Sequence, residues 1–424
     1  MMTIAKMRWV VAAMLLAATV INYVDRSTLP VVIGSMRKEF TLSEQDYSQV
    51  VSLFLVAYAL MYAGSGYIVD RLGTRRGFAF FMFGWSGAQM LHGAVSGKWS
   101  LAGSRFLLGL TEPGNFPAAV KAVGEWFPSG RRAIGVGVFN AGSSLGSAIA
   151  VPMAAFLTLR YGWRFTFLFT GGLGMIWLCL WLLFYNTPEK NRWLRPSERI
   201  AQDDPPRDCE AVPPAADDSW LALLAKRESI SLALARFLSD PVIFFVIFWL
   251  PEYLRKERGF DLARIGATAW VPFLFGDVGY VLGGLLSSYL MTRGWPLVKA
   301  RKAAMGAGAA LLPAAIAAPF AHSAEVAIGA MCFVVLGHAI WVANLLTLPA
   351  DLFPGSQVGR VSGISGMGGA MGGIVTNLAI GRALASFSYL PLFAVAGILH
   401  PLALLLVWCT IPSKRIAEGA GSTQ

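Results

Sequence analysis

Apolar stretches long enough to cross a bilayer recur along the whole 424-residue chain. About 20 apolar residues in a helix span the hydrocarbon core, and charge clusters or Gly/Pro breaks separate the stretches. This pattern predicts an all-α membrane protein with twelve transmembrane helices. Their approximate bounds are 9–36, 46–69, 77–96, 99–125, 133–158, 163–185, 232–255, 264–291, 299–320, 323–351, 358–385 and 388–412.

One long polar segment, residues 186–228, divides the spans into two groups of six. Its prolines and charges predict a loop with one short surface helix. The predicted parts are an N-terminal six-helix bundle (1–185), a cytoplasmic linker (186–228), a C-terminal six-helix bundle (229–413) and a cytoplasmic tail (414–424). The first span begins like a signal peptide but lacks a small-x-small cleavage site, so it is predicted to remain as a helix.

The composition agrees with a polytopic membrane protein. Hydrophobic residues make up 56% of the chain, charged residues 14%, and the mean hydropathy is +0.58. A soluble protein of this size would carry about 25% charged residues. The chain has 45 glycines, several of them in the run at 363–373. Glycine-rich segments remain helical in a bilayer, because the backbone must form its hydrogen bonds internally. These glycines are therefore interpreted as sites of close helix packing or as hinges.

Lysine and arginine are concentrated in alternate loops. The richer set comprises Lys6, Arg8, Arg71, Arg75, Arg76, Arg131, Arg132, Lys190, Arg192, Arg195, Arg199, Arg207, Lys226, Arg227, Arg293, Lys299, Arg301, Lys302, Lys414 and Arg415. The positive-inside rule places these loops, and both termini, in the cytoplasm. The net charge of +11 is thereby assigned to basic loops at the cytoplasmic surface of the plasma (inner) membrane. The predicted partner is therefore the lipid bilayer and not nucleic acid. The protein is also predicted to be a monomer.

The loop after the second span carries a motif: Gly66-Tyr-Ile-Val-Asp70-Arg71-Leu-Gly73-Thr-Arg75-Arg76. It resembles the G-x-x-x-D-R-x-G-x-[RK]-[RK] signature of the major facilitator superfamily. The resemblance implies two six-helix bundles around a central cavity, with these residues forming a gate motif that holds the cytoplasmic side closed. The corresponding segment of the second half, 284–294, has Ser288 and Tyr289 where the aspartate and arginine would stand, so that counterpart is degenerate.

Further stretches narrow the resemblance. The segments 22–26 (NYVDR), 105–117 (RFLLGLTEPGNFP) and 162–165 (GWRF) are similar to the anion:cation symporter branch. The stretches similar to its hexuronate transporters are SDP at 239–241, FWLP at 248–251, GHAIWVAN at 337–344 and DLFP at 351–354. What this implies is proton-coupled uptake of a sugar acid, with protons as the coupling ion and no other cofactor.

Four ionisable residues lie deep in the N-terminal spans: Asp25, Arg26, Arg105 and Glu112. Charges inside a bilayer are costly, so each indicates a cavity or a partner. Asp25 and Arg26 diverge by about 100° on a helix, which favours Arg26 toward the cavity and Asp25 toward an adjacent helix. Arg105 and Glu112, two turns apart on one span, are expected to pair. The alternative is a static ion network that sets the helix register.

These residue types suit an anion carried with protons. Moving one charge against 100 mV costs about 2.3 kcal/mol, which proton co-transport offsets. A buried carboxyl group can bind and release protons near neutral pH, so Asp25 and Glu112 are the predicted proton-coupling residues. Arginine holds a carboxylate through two parallel hydrogen bonds, and Arg26 is the first choice for the substrate. Asp277, in the eighth span, is either a third proton site or a structural carboxyl group.

Neutral polar and aromatic residues inside the spans are the predicted contacts for sugar hydroxyls and for the apolar face of a sugar. With Arg26 and Arg105, the predicted substrate-binding set is Asn22, Tyr23, Tyr58, Tyr62, Asn140, Ser143, Ser144, His338, Trp341, Asn344 and Asn377. For the aromatic residues, helix packing is the competing interpretation. Asp240 and Glu252, near the ends of the seventh span, are predicted to be solvated, and His92 and His400 to be structural.

Other chemistry finds no support in the sequence. The chain has no P-loop, no H-E-x-x-H and no GxSxG within a span, so an ATP-driven pump and an enzyme are disfavoured. The cysteines at 179, 209, 332 and 409 have no metal-binding spacing; three of them lie inside apolar spans and are interpreted as small apolar residues in the membrane. The prediction is a hexuronate symporter that works by alternating access. The alternatives are a carrier of another acid (aldonate, aldarate or aromatic carboxylate) and a nutrient receptor without turnover.

Overall fold

A computed structural model describes residues 2–127, 132–199, 220–353, 355–386 and 388–411. The helices of the first half are α1 (Ile4–Phe40), α2 (Glu44–Leu72), α3 (Thr74–Leu91), α4 (Lys98–Thr111), α5 (Asn115–Trp126), α6 (Arg132–Tyr161) and α7 (Trp163–Phe184). Two short helices, α8 (Pro196–Arg199) and α9 (Trp220–Ala225), follow in the predicted linker. The rest of that linker, 200–219 with Cys209, and the tail from 412 lie outside the described residues.

The second half is helical in the same way. Its helices are α10 (Arg227–Glu257), α11 (Leu262–Thr268), α12 (Val271–Thr292), α13 (Leu297–Ala309), α14 (Ala314–Ala317), α15 (Ala324–Leu345), α16 (Leu348–Leu352), α17 (Gly355–Ser386) and α18 (Leu390–Thr410). Each predicted span is occupied by one of these helices or by a broken series of them. Within the described ranges there is no β-strand, only an isolated bridge between Met2 and Leu194, so the prediction of an all-α protein is confirmed.

Helix length and apolarity identify many of these helices as membrane-spanning. Eight helices of the described chain, or nine with one bent pair, are long and apolar enough to cross a bilayer. The span predicted at 99–125 is broken, because α4 ends at Thr111 and a 3-10 turn, Glu112–Gly114, precedes α5. Pro113 causes the break, since it lacks the N–H that a continuous helix needs.

The connection between α2 and α3 depends on a glycine. Gly73 has φ +74°, a backbone conformation that side chains with a Cβ disfavour, and it ends α2 and begins α3 without an intervening loop. The preceding helix starts with a capping box, in which Ser43 and Asp46 exchange hydrogen bonds. These local signals fix where the second helix begins and ends.

The described chain forms two compact units. The first contains α1 to α8, the segment Ile247–Leu274, and the end of α17 from Asn377. The second contains α9, the part of α10 up to Val246, the segment Phe275–Thr376, and α18. Because the first unit includes segments from the C-terminal half, these units do not coincide with the predicted sequence halves, and the domain boundaries stay a prediction.

In the first unit, α6 packs closely against α1 through glycines. A Cβ on Gly142 would lie 2.8 Å from the carbonyl oxygen of Leu16, and one on Gly146 would lie 2.5 Å from that of Val20. The backbones therefore approach as only small residues permit. This contact holds the part of α1 that carries Asn22 to Arg26.

Gly146→Ala is expected to destabilise the protein, because the added methyl group meets backbone atoms that cannot turn away. Overpacking of this kind costs about 1–3 kcal/mol. The measurement is the thermal unfolding midpoint of the purified protein in detergent, which should fall. Gly137→Ala, on the same helix with open space around its Cβ, is the control, and an equal loss in both variants would contradict the prediction.

Candidate functional site

The most buried ion pair of the first unit joins α1 to the break after α4. Arg26 donates from Nε and Nη2 to Oε2 of Glu112, at 2.9 and 2.7 Å. The side chains are 7% and 0% exposed. Asn22 donates from Nδ2 to the backbone oxygen of Glu112 at 3.3 Å. Within the described chain Oε1 of Glu112 has no hydrogen-bond partner, so this carboxylate can accept one more donor.

Aromatic rings surround the Arg26 guanidinium. Its Cζ lies 4.8 Å from the ring centre of Tyr23, 4.7 Å from Tyr58 and 5.6 Å from Phe54. Such cation–π contacts stabilise a positive charge that water cannot reach. Tyr62 continues the stripe, with its ring 5.9 Å from that of Tyr58, and is 40% exposed. The predicted Tyr58/Tyr62 stripe is therefore adjacent to the predicted substrate arginine.

Arg105 does not occupy the place that the sequence predicted. It donates from Nη2 to the backbone oxygen of Arg26 at 3.1 Å, and its guanidinium lies over Phe54 at 5.4 Å. Among the described residues Arg105 forms no direct salt bridge with Glu112, so the predicted Arg105–Glu112 pair is wrong. Both side chains instead contact α1 at Arg26, Arg105 through the backbone oxygen and Glu112 through the guanidinium.

Asp25 points away from its neighbour Arg26, as the predicted divergence requires. It is fully buried and faces Thr170 of α7, with Arg105 and Glu112 within electrostatic range. Neither carboxylate oxygen makes a hydrogen bond to the described part of the chain. The site thus contains one paired carboxylate and one buried carboxylate whose hydrogen-bonding capacity is unused.

The polar residues of α6 bond within their own helix. Asn140 donates to the carbonyl oxygen of Val136 at 3.0 Å, and Ser143 donates to that of Asn140 at 2.7 Å. Asn140 is exposed, while Ser143 and Ser144 are half-buried. The predicted polar band is present on this helix, and its contact with a substrate stays a prediction.

In the second unit, three predicted substrate residues of α15 are engaged in packing. Trp341 belongs to the hydrophobic core, and Asn344 donates to the carbonyl oxygens of Gly283 and Ile340 at 3.1 and 2.9 Å. His338 forms a hydrogen bond with His400, Nδ1 to Nε2, at 3.1 Å. The structure therefore favours the competing packing interpretation for Trp341 and Asn344, which a three-residue spacing alone could not separate from binding.

The second unit also contains an ion pair that the sequence analysis missed. Arg236 donates to Oδ2 of Asp240 at 2.8 and 2.5 Å, and the Asp240 side chain is 5% exposed. The predicted solvated role of Asp240 is therefore wrong. The i, i+4 spacing on α10 was the available signal. Asp277 is half-buried and lies within electrostatic range of Tyr280, as Asp240 does.

Five charged residues of the first unit form what we call the charged clamp: Arg37, Glu44, Glu252, Arg255 and Lys256. Arg37 bonds both carboxylates, Glu44 at 2.6 and 2.9 Å and Glu252 at 2.6 Å. Arg255 also donates to Glu252, and Lys256 to Glu44. The Glu252 side chain is 1% exposed, so its predicted solvated role is wrong. The clamp ties the α1–α2 turn to the end of α10.

Direct hydrogen bonds reinforce the clamp. Tyr47 donates to the carbonyl oxygen of Phe248 at 2.9 Å, and Ser48 to that of Asn377 at 2.6 Å. The Asn377 side chain accepts from Trp249 Nε1 at 2.8 Å. Asn377, predicted as a substrate contact, therefore has a packing role beside the clamp in this structure.

The gate-motif residues contact helices of the first unit. Asp70 pairs with Lys121 of α5 at 2.7 Å, and Thr74 donates to Glu125 of the same helix. Arg75 donates to the carbonyl oxygen of Leu182, and Arg71 lies 5.8 Å from the ring of Tyr67. Arg76 is exposed, and Gly66 has open space around it. The latch function of this motif stays a prediction.

Comparison with known proteins gives concordant results. The sequence profile described as Major Facilitator Superfamily matches residues 15–377 and 232–423. The hexuronate transporter of Escherichia coli (strain K12) is 32% identical over 428 residues, covering 100% of this chain and 98% of the relative. The galacturonate transporter of Dickeya chrysanthemi is 32% identical over 319 residues, covering 74% and 91%.

A solved structure is similar over nearly the whole chain. The crystal structure of a D-xylose-proton symporter superposes with a TM-score of 0.74 at 17% identity, covering 96% of this chain and 99% of that one. At such low identity the likeness shows the fold alone. The fold class predicted from the twelve spans is therefore confirmed.

Proposed function

Because the chain belongs to the Major Facilitator Superfamily, we propose that it is a multi-pass membrane transporter that carries a sugar acid together with protons. The proposed substrate is a hexuronate such as glucuronate or galacturonate, moved by alternating access across the inner membrane by a monomer with both termini in the cytoplasm. The observation that carries the proposal is the buried Arg26–Glu112 pair beside Asp25. The relatives named above support the sugar-acid substrate.

The surroundings of Arg26 suit one carboxylate attached to a sugar ring. The guanidinium is flanked by Tyr23 and Tyr58. Arginine recognises carboxylates through parallel hydrogen bonds, and aromatic faces pack against the apolar face of a pyranose. Tyrosine hydroxyls add neutral partners for sugar hydroxyls. We therefore assign Arg26 to the substrate carboxylate and the two tyrosines to its ring.

Charge balance gives a reason for proton coupling. Before a substrate binds, Asp25 and Glu112 balance Arg26 and Arg105, so an anion that entered alone would leave a buried negative charge. Protonation of Glu112 removes the partner that occupies Arg26 and frees this guanidinium for the substrate. Substrate binding and proton uptake then favour each other, which is the thermodynamic requirement of a symporter.

The proposed orientation places the charged clamp at the extracytoplasmic end, because it lies at the far end of the first span from a cytoplasmic N-terminus. An anion entering from outside would have to wait for the clamp to open. The ion pairs among Arg37, Glu44 and Glu252 would then break and re-form in each cycle. The clamp is thus the proposed outer gate.

Glu252→Gln is expected to open the outer gate more often, because the neutral amide loses the charge that Arg37 and Arg255 share. The probe is Ser48→Cys, a buried position beside the gate, in a chain whose own cysteines are replaced. A membrane-impermeant maleimide added outside should label it about tenfold faster, as a loss of about 1.4 kcal/mol in closed-state stability implies.

The matched control for the gate is Glu257→Gln. Glu257 is exposed at the end of the same helix, five residues after Glu252. Its variant should label at the wild-type rate. Equal acceleration in both variants, or none in Glu252→Gln, would contradict the assignment of the clamp as the outer gate.

Uptake into proteoliposomes tests the proposed function directly. With an imposed inward proton gradient, labelled glucuronate or galacturonate should accumulate above its external concentration, and a pH-sensitive dye inside should report acidification. Aldonates and aldarates belong in the same panel, and preference for one of them would change the substrate. Saturable binding with no accumulation would indicate a receptor and overturn the proposal.

A further inference from the structure

The ring of Phe54, on α2, contacts both buried arginines of the candidate site. Its centre lies 5.6 Å from Cζ of Arg26 and 5.4 Å from Cζ of Arg105. Phe54 is 1% exposed, Arg26 5% and Arg105 1%. One neutral ring therefore contacts two guanidinium groups that water barely reaches.

A glycine of α4 brings Arg105 to this ring. Gly109 packs against the backbone of α2 so closely that a Cβ would overlap the carbonyl oxygen of Phe54. Only a glycine permits this approach. Because Gly109 follows Arg105 by one helical turn, both residues lie on the same face of α4. The contact that joins the two helices thus also places the Arg105 guanidinium over the ring.

Helix α10 limits the movement of the ring from another side. Phe248 packs edge-on against Phe54, with ring centres 6.3 Å apart and an angle of 74° between the planes. The carbonyl oxygen of Phe248 accepts the hydrogen bond from Tyr47, and the residue is 1% exposed. Residues of α1, α4 and α10 therefore contact one ring and leave it little room to turn.

An aromatic ring attracts Arg26 in a different way from a polar side chain. The negative face of its π system attracts a cation, but the ring has no net charge and no acceptor oxygen. It therefore neither neutralises Arg26 nor occupies the N–H groups that now donate to Glu112. Both the charge and the donors of the arginine stay available to a carboxylate.

We propose that Phe54 is a positioning residue, which holds the Arg26 guanidinium in place for the substrate carboxylate when Glu112 is protonated. This inference rests on the proposed function, in which the substrate replaces Glu112 as the partner of Arg26. At that step the guanidinium loses its ion pair, and aromatic contacts hold it. Tyr23 and Tyr58 are assigned to the sugar ring, so Phe54 is the ring that serves the arginine itself.

Arg105 is part of the same arrangement. Its Nη2 donates to the backbone oxygen of Arg26 at 3.1 Å, so two positive side chains are held in one buried region, where like charges repel strongly. The Phe54 ring attracts both and thereby offsets part of this repulsion. Without the ring, the Arg26 guanidinium would be displaced more easily before the substrate arrives.

Phe54→Leu keeps an apolar side chain and removes the ring. The substrate must then immobilise a loosely held arginine, so we expect the Kd for labelled glucuronate, measured by equilibrium binding to the purified protein, to rise about fivefold. The maximal rate of counterflow at saturating glucuronate should stay within about twofold of wild type, because the bound carboxylate then holds Arg26 itself.

A second variant changes the charge distribution of the ring and keeps its shape. Trifluorophenylalanine incorporated at position 54 weakens the negative face, so the Kd should rise about threefold. A role in packing alone would leave the Kd unchanged, because the ring still fills its place. This variant also carries the test if Phe54→Leu does not fold.

Phe78 of α3 is the matched control. It is 0% exposed, and its ring centre lies 5.0 and 4.9 Å from those of Trp177 and Trp181. Phe78→Leu and trifluorophenylalanine at position 78 change a comparable amount of aromatic packing and should leave the Kd unchanged. An equal rise in Kd at both positions, or none at position 54, overturns the positioning role.

A double-mutant cycle separates this inference from the proposed function. Phe54→Leu and Arg105→Met should each lower the thermal unfolding midpoint, and the double variant should lose less than the sum, because both changes remove the same contact. Additive losses would contradict that contact. Non-additive losses in a protein that binds no sugar acid would overturn the proposed function and, with it, the role in substrate binding. Binding by the wild type with an unchanged Kd in both position-54 variants would overturn the positioning role alone.

Discussion

Glu112→Gln is expected to abolish accumulation of substrate by a proton gradient while exchange of substrate across the membrane continues. Glutamine keeps the shape of the side chain and an oxygen that can accept from Arg26, but it cannot ionise. The variant therefore stays in the state that a protonated Glu112 would reach only transiently. Arg26 remains available to the substrate, and the carrier loses the step that links movement of the anion to movement of a proton.

Two assays on the same proteoliposomes quantify this prediction. The accumulation ratio under an inward proton gradient should fall to about one, whereas counterflow with no gradient should remain within about threefold of wild type. Glu39→Gln is the matched control, because Glu39 pairs with Arg164 on an exposed surface, with side chains 42% and 47% exposed. Full gradient-driven accumulation by Glu112→Gln would refute the coupling role of this residue.

Arg26→Ala is expected to eliminate substrate binding. The truncation removes both N–H donors that now contact Glu112 and the charge that Tyr23 and Tyr58 surround. A charge-assisted, bidentate contact is worth about 3 kcal/mol or more, so affinity should fall at least about 100-fold. The readout is loss of the thermal stabilisation that glucuronate or galacturonate gives to the purified wild-type protein.

A double variant separates binding from folding. Arg26→Ala alone leaves Glu112 buried without its cation, which costs about 3–5 kcal/mol when a buried pair is broken. Arg26→Ala combined with Glu112→Gln removes that penalty, so its thermal midpoint should recover while binding stays lost. Arg164→Ala, an exposed arginine, should bind normally. Ligand-induced stabilisation of the double variant would show that another residue binds the carboxylate.

The placement of the long helices could be predicted because long apolar runs and charge clusters are local signals. The divergence of Asp25 and Arg26 also followed from helix geometry alone. The partner of Glu112 did not follow, since the prediction assumed one continuous helix from Arg105 onward. Pro113 was visible in the sequence, but the direction in which a broken helix turns depends on packing against α1.

The second unit shows where periodicity stops being informative. His338, Trp341 and Asn344 recur every three residues, and this spacing predicts a common face without saying what the face contacts. In the structure Trp341 packs in the core, and Asn344 bonds the backbone of α12. Arg236 was overlooked because charges near span ends are expected to reach water, whereas its pair with Asp240 is buried.

The charged clamp, which we propose as the outer gate, also has an electrostatic effect at long range. It contains three cations and only two carboxylates, so in the proposed orientation it presents surplus positive potential to the outside solution. Such a field draws anions from a distance and raises their encounter rate, most strongly in dilute salt. The same five side chains would therefore close the entrance and also raise the local concentration of anionic substrates in front of it.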